Sequence, residues 1–195
     1  MGQFDPTLEL TWEAVSKVFS YVNSTFDDQF IHFGGDEVIE ECWDQRPHIK
    51  EYMKENNISD YKALSIDYRK RQKKLFRSSI SPKKTVIYWA NEEIDLPMDD
   101  EDAIQWWGTS ANQDKLSGRK NPVILSNYNE VYLDVGFNNF YGVNYGVYQT
   151  WRKMYEYNPK IPNANVMGGE TCMWNELGTK HTFDQKVFQK ASILG

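Results

Sequence analysis

The chain has 195 residues and a formal net charge of −6 at pH 7, and 15% of its residues are aromatic and 26% charged. This length predicts one domain over residues 1–195, with the composition of an ordinary globular protein. Because no Lys/Arg stripe alternates with aromatic residues and no apolar run could span a bilayer, neither nucleic acid nor a membrane is an expected partner.

The first half of the chain predicts three helices and one short strand. Asp5-Pro6 is typical of a helix start, and apolar residues follow it at helical spacing. Residues 30–33 predict a strand, and further helices are predicted over about 42–56 and 60–79. The basic stretch at 69–74 is expected to be a solvated face of the last helix.

The second half predicts short strands separated by helical or looping segments. Four apolar runs carry this pattern, at residues 85–89, 103–107, 123–126 and 165–170. They do not alternate, which favours strands buried on both faces of a parallel sheet and an α/β fold. Polar and aromatic residues gather at the strand ends, as in a (β/α)8 TIM barrel, and the length suits only its later strands, about strands 4 to 8.

Two adjacent carboxylates, Asp36 and Glu37, follow the first predicted strand directly after two glycines. At a strand end, where the backbone turns, both side chains can reach one cleft. Two carboxylates with different surroundings can share the cleavage of a glycosidic bond, one charged and one protonated. The ordinary alternative is a surface turn with two solvated acids.

Trp and Tyr are abundant, with 7 and 12 residues respectively. They could form a large aromatic core or a sugar site, because aromatic faces pack well against pyranose rings. The two cysteines are too few for a disulfide scaffold, and no Cys/His cluster has metal-ligand spacing. Neither a metal nor a cofactor is therefore expected.

Five motifs occur in an order that resembles the catalytic domain of family 20 glycoside hydrolases, the β-N-acetylhexosaminidases. They are residues 32–38 (HFGGDEV) followed by Cys42-Trp43, then Tyr88-Trp89, Gln105-Trp106-Trp107, Tyr132-Leu133-Asp134 and residues 168–176 (GGETCMWNE). The resemblance covers essentially the whole chain. It implies an exo-acting enzyme that hydrolyses terminal β-linked GlcNAc or GalNAc by substrate-assisted, retaining catalysis.

The resemblance also implies roles for the acid pair and for one tyrosine. Glu37 is expected to be the general acid that later activates water, and Asp36 to orient the acetamido N–H of the substrate. Tyr132 is expected to donate a hydrogen bond to the acetamide carbonyl. A core tyrosine is the alternative for Tyr132.

Substrate-binding residues follow from the same resemblance. Trp89, Trp107 and Trp174 are expected to form the walls of the acetamide pocket and the platform under the sugar ring, although single tryptophans at strand ends are often core residues. Asp134 and Glu176 are expected to accept sugar hydroxyls, with solvated loop acids as the alternative.

Four further residues receive weaker interpretations. Trp106, next to Trp107 in a strand, is assigned to packing. His32 either supports the acid pair from behind or is a core histidine. Glu170 is expected to support the site, and Cys172 to be a buried thiol.

The expected partners are glycans that end in N-acetylhexosamine, and the resemblance allows a homodimer. A lysosomal or secreted location is implied by the family. The chain as written has no leader and would be cytosolic unless an upstream segment were lost. Sequons at Asn23 and Asn57 hint only weakly at a secretory route.

Two questions stay open: whether the isolated chain is active, and which glycosidase mechanism it would use. Family members hold the sugar with an arginine, an aspartate and a histidine from earlier strands that do not occur here, so the isolated chain is expected to have little activity, or to be a non-catalytic carbohydrate-binding remnant. Another glycosidase mechanism would pair Glu37 with a distant carboxylate as nucleophile.

Overall fold

The computed structural model describes residues 3–81, 83–92, 98–136, 146, 148–175 and 178–193. The chain forms two compact units, Met1–Tyr88 and Trp89–Gly195, which are described separately. Within the described residues, no helix combines the length and the apolar character that a membrane span requires.

The first unit contains four helices, one complete strand and most of another strand, whose last two residues belong to the second unit. Their bounds are α1 Glu9–Thr25, β1 Phe30–His32, α2 Glu40–Asp44, α3 Pro47–Glu55, α4 Tyr61–Ser79 and β2 Thr85–Ala90. Strands β1 and β2 run parallel, in a register that starts with Phe30 opposite Thr85. The core around β1 is aromatic, with the rings of Phe19 and Phe33 stacked at 4.4 Å and Phe76 against both.

Two predicted helix boundaries were wrong. The first differs because the Asp5 side chain has other partners, and the second because of a proline. Helix α1 begins at Glu9 rather than at Asp5-Pro6. The Asp5 carboxylate instead accepts the backbone N–H of Thr7 at 2.9 Å and pairs with His48 at 2.5 Å. The helix predicted over 42–56 is divided in two, since Pro47 cannot continue α2 and occupies the first turn of α3.

The start and length of α4 are as predicted, but the interpretation of its basic stretch as a solvated face was wrong. Arg69 and Gln72 are buried, at 9% and 7% exposure. The Arg71 guanidinium lies 4.2 Å from the ring of Trp12. Arginine packs its stem and planar head against aromatic surface. Only Lys70 and Lys74 of this stretch are exposed.

The second unit contains three strands that pair in parallel in the order β3, β4, β5. Its elements are β3 Ala103–Trp106, a 3₁₀ helix at Ser110–Leu116, β4 Pro122–Leu125, α5 Tyr128–Val131, α6 Trp151–Glu156, β5 Asn165–Gly169 and α7 Lys180–Ala191. Since the strands are parallel, the segments that follow them begin at one edge of the sheet.

Burial differs from strand to strand. All four residues of β3 are buried, those of β4 alternate, and all five of β5 are exposed. The prediction that strands are buried on both faces is therefore confirmed for β3 and wrong for β5. Strand β5 pairs with β4. Trp106 is fully buried in the cluster around β3 and β4, as its assignment to packing predicted.

Candidate active site

The acid pair lies on a turn of unusual backbone conformation in the first unit. After β1 ends at His32, Gly34 and Gly35 have φ values of +64° and +91°, and Glu37 has φ +49°. Glycine adopts these angles without steric cost, but Glu does so rarely. The Asp36 and Glu37 side chains are both exposed. A strained backbone at an ionisable residue is an observation that points toward function.

Two side chains hydrogen-bond to the backbone of this turn, one from a residue before it in the sequence and one from a residue after it. Nδ1 of His32 accepts the backbone N–H of Gly34 at 2.8 Å, which agrees with support from behind the acid pair. The Arg69 guanidinium on α4 donates a hydrogen bond to the carbonyl oxygen of Gly35. Sequence reasoning missed Arg69. Its spacing of three and seven residues from Gln72 and Phe76 would have placed it on their buried face.

A mainly apolar cleft of about 550 Å³ borders the turn within the first unit. Asp36 and Glu37 line one part of it. The rest includes Phe19 of α1, Phe33 after β1, and Tyr68 and Arg69 of α4. The acids therefore stand at the boundary between water and an apolar surface.

Four predicted aromatic residues come together in the second unit. Trp89 lies at the end of β2, Trp107 follows β3, Tyr132 follows α5 and Trp174 follows β5. Ring centroids are 5.5 Å apart for Trp89 and Trp174 and 6.2 Å apart for Tyr132 and Trp174. Trp89 and Trp107 pack against the buried cluster of Tyr132, Val135 and Cys172. Together they form an apolar surface of the kind that stacks on a sugar ring.

Asp134 is a buried carboxylate rather than a solvated loop acid, with 4% exposure. Its Oδ2 accepts the backbone N–H groups of Trp174 and Asn175, each at 2.9 Å. Its Oδ1 is buried and has no hydrogen-bond partner among the residues described. That oxygen can accept a hydroxyl of a ligand. The other predicted hydroxyl acceptor, Glu176, lies outside the described residues.

Glu170 and Cys172 belong to a polar network beneath the aromatic group. Gln105 donates to Oε2 of Glu170 and to the hydroxyl of Ser126, each at 3.0 Å. Cys172 is a buried thiol, as predicted. Burial, with a smaller contribution from Glu170, raises the pKa of Cys172 to about 12, so the thiol stays protonated.

Glu92 is a second residue that sequence reasoning missed. Its Oε1 accepts the backbone N–H of Thr109 at 2.7 Å, the Thr109 hydroxyl at 3.0 Å and the Asn112 amide at 3.2 Å. It thereby fixes the segment that follows Trp107. Burial raises the pKa of Glu92, but these hydrogen bonds outweigh burial and the net pKa is lowered. No motif marks Glu92 in the sequence.

One cluster of three carboxylates among the described residues is compact enough to hold a cation. Ligand atoms of Asp99, Glu101 and Asp102 lie within 4.8 Å of one another. Asp102 is buried and accepts the backbone N–H of Asp99, and Asn121 donates to the carbonyl oxygens of both aspartates. The cluster is thus organised by its own turn.

Comparison with known proteins identifies the family. The model of the catalytic domain of glycosyl hydrolase family 20 matches residues 1–195. The chain is 30% identical to the β-hexosaminidase subunit β of Mus musculus, over 100% of this chain and 36% of that protein. It is 28% identical to the chitooligosaccharidolytic β-N-acetylglucosaminidase of Ostrinia furnacalis, over 99% of this chain and 36% of that protein.

Solved structures share the fold. An exo-β-N-acetylglucosaminidase from Vibrio harveyi in complex with N-acetylglucosamine has a TM-score of 0.76 at 21% identity, over 98% of this chain and 31% of that one. A β-N-acetylhexosaminidase has a TM-score of 0.81 at 16% identity, over 97% and 42%. This likeness confirms the predicted fold class, part of an α/β barrel. The chain spans about a third of the length of its relatives in sequence, and it belongs to glycosyl hydrolase family 20.

Proposed function

We propose that the protein containing this chain is an exo-β-N-acetylhexosaminidase that releases terminal β-linked GlcNAc or GalNAc with retained configuration. The observation that carries the proposal is the Asp36-Glu37 pair on its left-handed turn, within a chain that matches the family over its whole length. The aromatic group of the second unit supports a sugar as the ligand.

In the proposed reaction the substrate supplies its own nucleophile. The oxygen of the 2-acetamido group attacks the anomeric carbon, and the glycosidic oxygen leaves with a proton from Glu37. The intermediate is a cyclic oxazolinium-like ion. Glu37, now ionised, removes a proton from water, which attacks the same carbon and reopens the ring. Two displacements at one carbon retain its configuration.

Asp36 is proposed to act on the acetamido group. Its carboxylate accepts the acetamido N–H and stabilises the positive charge that develops there during cyclisation. Adjacent residues with side chains of different length suit the two tasks, since Glu37 must reach the glycosidic oxygen. The left-handed backbone at Glu37 supports this assignment because backbone strain concentrates at functional sites.

The residues of the second unit are proposed to hold the sugar. Trp89, Trp107 and Trp174 form the pocket walls and the platform, and the Tyr132 phenol donates to the acetamide carbonyl. Oδ1 of Asp134 accepts a sugar hydroxyl, which its buried position without a partner among the described residues supports. Glu176 is proposed as a further hydroxyl acceptor. A site that binds hydroxyls discriminates strongly against sugars that lack them.

The proposed substrates are glycans that end in N-acetylhexosamine, and the proposed location is lysosomal or secreted. Assembly as a homodimer stays a prediction, which light scattering on the purified protein checks. For the 195-residue chain by itself we expect little turnover.

Turnover of a chromogenic N-acetylglucosaminide by the whole protein that contains this chain tests the proposal. Glu37→Gln should lower kcat by about 10²–10⁴-fold, the usual contribution of a general acid. Glu41→Gln, an exposed carboxylate on α2, is the matched control and should leave kcat unchanged. Asp36→Asn should be equally severe. Efficient hydrolysis of the corresponding glucoside, which lacks the acetamide, would contradict the substrate-assisted mechanism.

Binding of an N-acetyl-thiazoline inhibitor separates an enzyme from a binding remnant. The inhibitor mimics the cyclised intermediate, so tight binding requires both the acid pair and the aromatic pocket. Tight binding that Asp36→Asn abolishes supports the enzyme. Weak binding of any N-acetyl sugar without turnover indicates a carbohydrate-binding remnant.

A further inference from the structure

Arg69 is a buried cation that contacts the backbone of the acid turn. It lies on α4 with 9% exposure, and its guanidinium donates to the carbonyl oxygen of Gly35, the residue before Asp36. The guanidinium carbon also lies 5.2 Å from the centre of the Tyr88 ring. Its Nε–H is buried and has no hydrogen-bond partner within the described ranges. Arg69 is thus committed to the turn rather than to an ion pair on the surface.

The hydrogen bond fixes one peptide plane. Because the peptide bond is planar and trans, the carbonyl of Gly35 and the N–H of Asp36 point in opposite directions. Rotation of this plane would break the hydrogen bond from Arg69, so the bond favours one backbone direction from which the Asp36 side chain leaves. On the other side of the turn, His32 holds the N–H of Gly34.

The guanidinium also fills the space that a side chain at position 35 would need. A Cβ added to Gly35 would lie 3.1 to 3.3 Å from three atoms of the Arg69 guanidinium, and a Cβ added to Gly34 would meet nothing within 4 Å. Both glycines have left-handed backbones. Glycine at 35 therefore permits close contact with Arg69 in addition to the turn itself.

Retaining a buried charge here is costly. Burial lowers the pKa of Arg69, and Tyr88 and the carboxylate of Asp36 act in the opposite direction. A buried charge contributes little net stability compared with a well-packed apolar residue. A local role for the cation accounts for its presence better than a contribution to overall stability.

We propose that Arg69 is a positioning residue that holds the Gly35–Asp36 peptide in place and so aims the acid pair. It does not touch substrate and is not a catalytic residue. The part of this inference that concerns catalysis rests on the proposed function. The part that concerns the turn does not.

Hydrogen exchange in the full chain tests the structural part without any need for turnover. Arg69→Ala should raise the exchange rate of the Gly34 amide, which donates to Nδ1 of His32 in the same turn, by about tenfold or more, which corresponds to the loss of one hydrogen bond from a charged donor. Arg71→Ala is the matched control. It removes a guanidinium from the same helix, where it packs on Trp12, and should raise the exchange rate of the Gly34 amide no more than that of other amides in the unit.

Conservative variants keep the test informative if Arg69→Ala folds poorly. Arg69→Lys retains the stem and the charge and should restore part of the protection. Millimolar guanidinium should restore protection in Arg69→Ala, and methylammonium should do so less well. In a double-mutant cycle, Gly35→Ala should couple to Arg69→Ala, while Gly34→Ala should not.

Kinetic measurements on the whole protein that contains this chain test the part of the Arg69 proposal that concerns catalysis. Arg69→Lys should lower kcat for a chromogenic N-acetylglucosaminide more than it raises KM, because Asp36 is the one residue of the turn proposed to bind the substrate and the other proposed sugar contacts belong to the second unit. Absence of turnover in the unmodified whole protein that contains this chain would defeat the proposed function and leave the exchange result standing. The inference about Arg69 is overturned if exchange of the Gly34 amide responds equally to Arg69→Ala and Arg71→Ala, or if kcat is unaffected when the turn is loosened.

Discussion

The carboxylate of Asp134 holds the backbone of Trp174. Its Oδ2 accepts the N–H of Trp174 at 2.9 Å and also that of Asn175, whose φ is +66°. A residue proposed to bind a sugar hydroxyl therefore also determines where an aromatic wall of the pocket lies. One oxygen accepts two backbone N–H groups, and the other, which has no hydrogen-bond partner among the described residues, is the one proposed to accept a sugar hydroxyl.

This division of tasks predicts different effects for two substitutions at Asp134. Asp134→Ala removes the acceptor of two backbone N–H groups, at about 1.5–3 kcal/mol for each hydrogen bond to a charged group. Asp134→Asn keeps one carbonyl oxygen for those groups but loses the charge. The alanine variant should lose protection of the amides at 174 and 175 in hydrogen exchange, and the asparagine variant should keep most of it.

Ligand binding should respond to both substitutions at Asp134. In the active protein, KM for an N-acetylglucosaminide should rise for Asp134→Asn because the second oxygen no longer offers a carboxylate to a hydroxyl. Asp184→Asn, at an exposed carboxylate of α7, is the control. Unchanged KM in the asparagine variant would remove Asp134 from the sugar site and leave its structural role.

Glu92 should make stability depend on pH in the acid range. Hydrogen bonds lower its pKa in the folded chain relative to the ordinary 4.5, despite the opposing effect of burial. A group with a lowered folded pKa contributes stability above its unfolded pKa and loses it as pH falls through the folded pKa. Below pH 4.5 the chain should therefore lose more of its free energy of unfolding than Glu92→Gln does.

Urea unfolding of both proteins between pH 3 and pH 7 measures this difference. Asp114→Asn, an exposed carboxylate in the 3₁₀ helix, is the control for general charge effects. Parallel stability curves for the chain and Glu92→Gln would show that folding does not lower the pKa of Glu92.

Sequence patterns predicted the elements better than their burial. The helix over 60–79 followed from its apolar periodicity, and in the structure Asp60 caps it by accepting the N–H of Ala63 at 2.7 Å. The basic run by itself did not separate Arg69 from Lys70, and only helical spacing from an apolar residue such as Phe76 distinguishes the two positions. Their burial depends on which face of α4 packs against the turn, and distant residues decide that.

The candidate site shows the same limit. Motifs identified Trp89, Trp174 and Tyr132, and the structure brings these residues together in the second unit. Arg69 and Glu92 have no motif, since their partners are backbone groups 34 and 17 residues away. Contacts of that kind follow from the folded arrangement and not from local sequence.

Lys190 should destabilise the chain at neutral pH. It is 4% exposed, and burial, together with repulsion from Lys186, lowers its pKa to about 8, with Asp134 acting in the opposite direction. Between pH 8 and the unfolded value of 10.5 the unfolded chain binds more protons. The contribution of Lys190 to the free energy of unfolding therefore rises with pH, by up to about 1.4 kcal/mol per unit.

Lys190→Met removes the charge and keeps an unbranched stem. It should be more stable than the unmodified chain at pH 7, and the difference should shrink between pH 8 and pH 10.5. Urea unfolding at several pH values measures it. A variant that is less stable at pH 7 would show that the contacts of Nζ outweigh the cost of burial; these are the Tyr148 ring, at 4.2 Å from its centre, and the carbonyl oxygen of Leu133, at 3.4 Å.

Gly108 should tolerate no side chain, because it lies between a buried tryptophan and the carboxylate that holds the next segment. A Cβ there would lie 2.6 Å from Cζ2 of Trp106 and 3.1 Å from Cδ of Glu92. Trp106 is fully buried and cannot move away without disturbing the core. Gly108→Ala should therefore lower the free energy of unfolding by about 1–3 kcal/mol, as overpacking does.

Gly168→Ala is the matched control for this steric effect, since a Cβ on that residue of β5 would meet nothing within 4 Å. Thermal and urea unfolding of the two variants compare the same substitution with and without a clash. If Gly108→Ala were as stable as Gly168→Ala, Trp106 and Glu92 would have to yield at no cost. Because Glu92 fixes the segment after Trp107, stability lost in Gly108→Ala should be accompanied by faster exchange of the Thr109 amide.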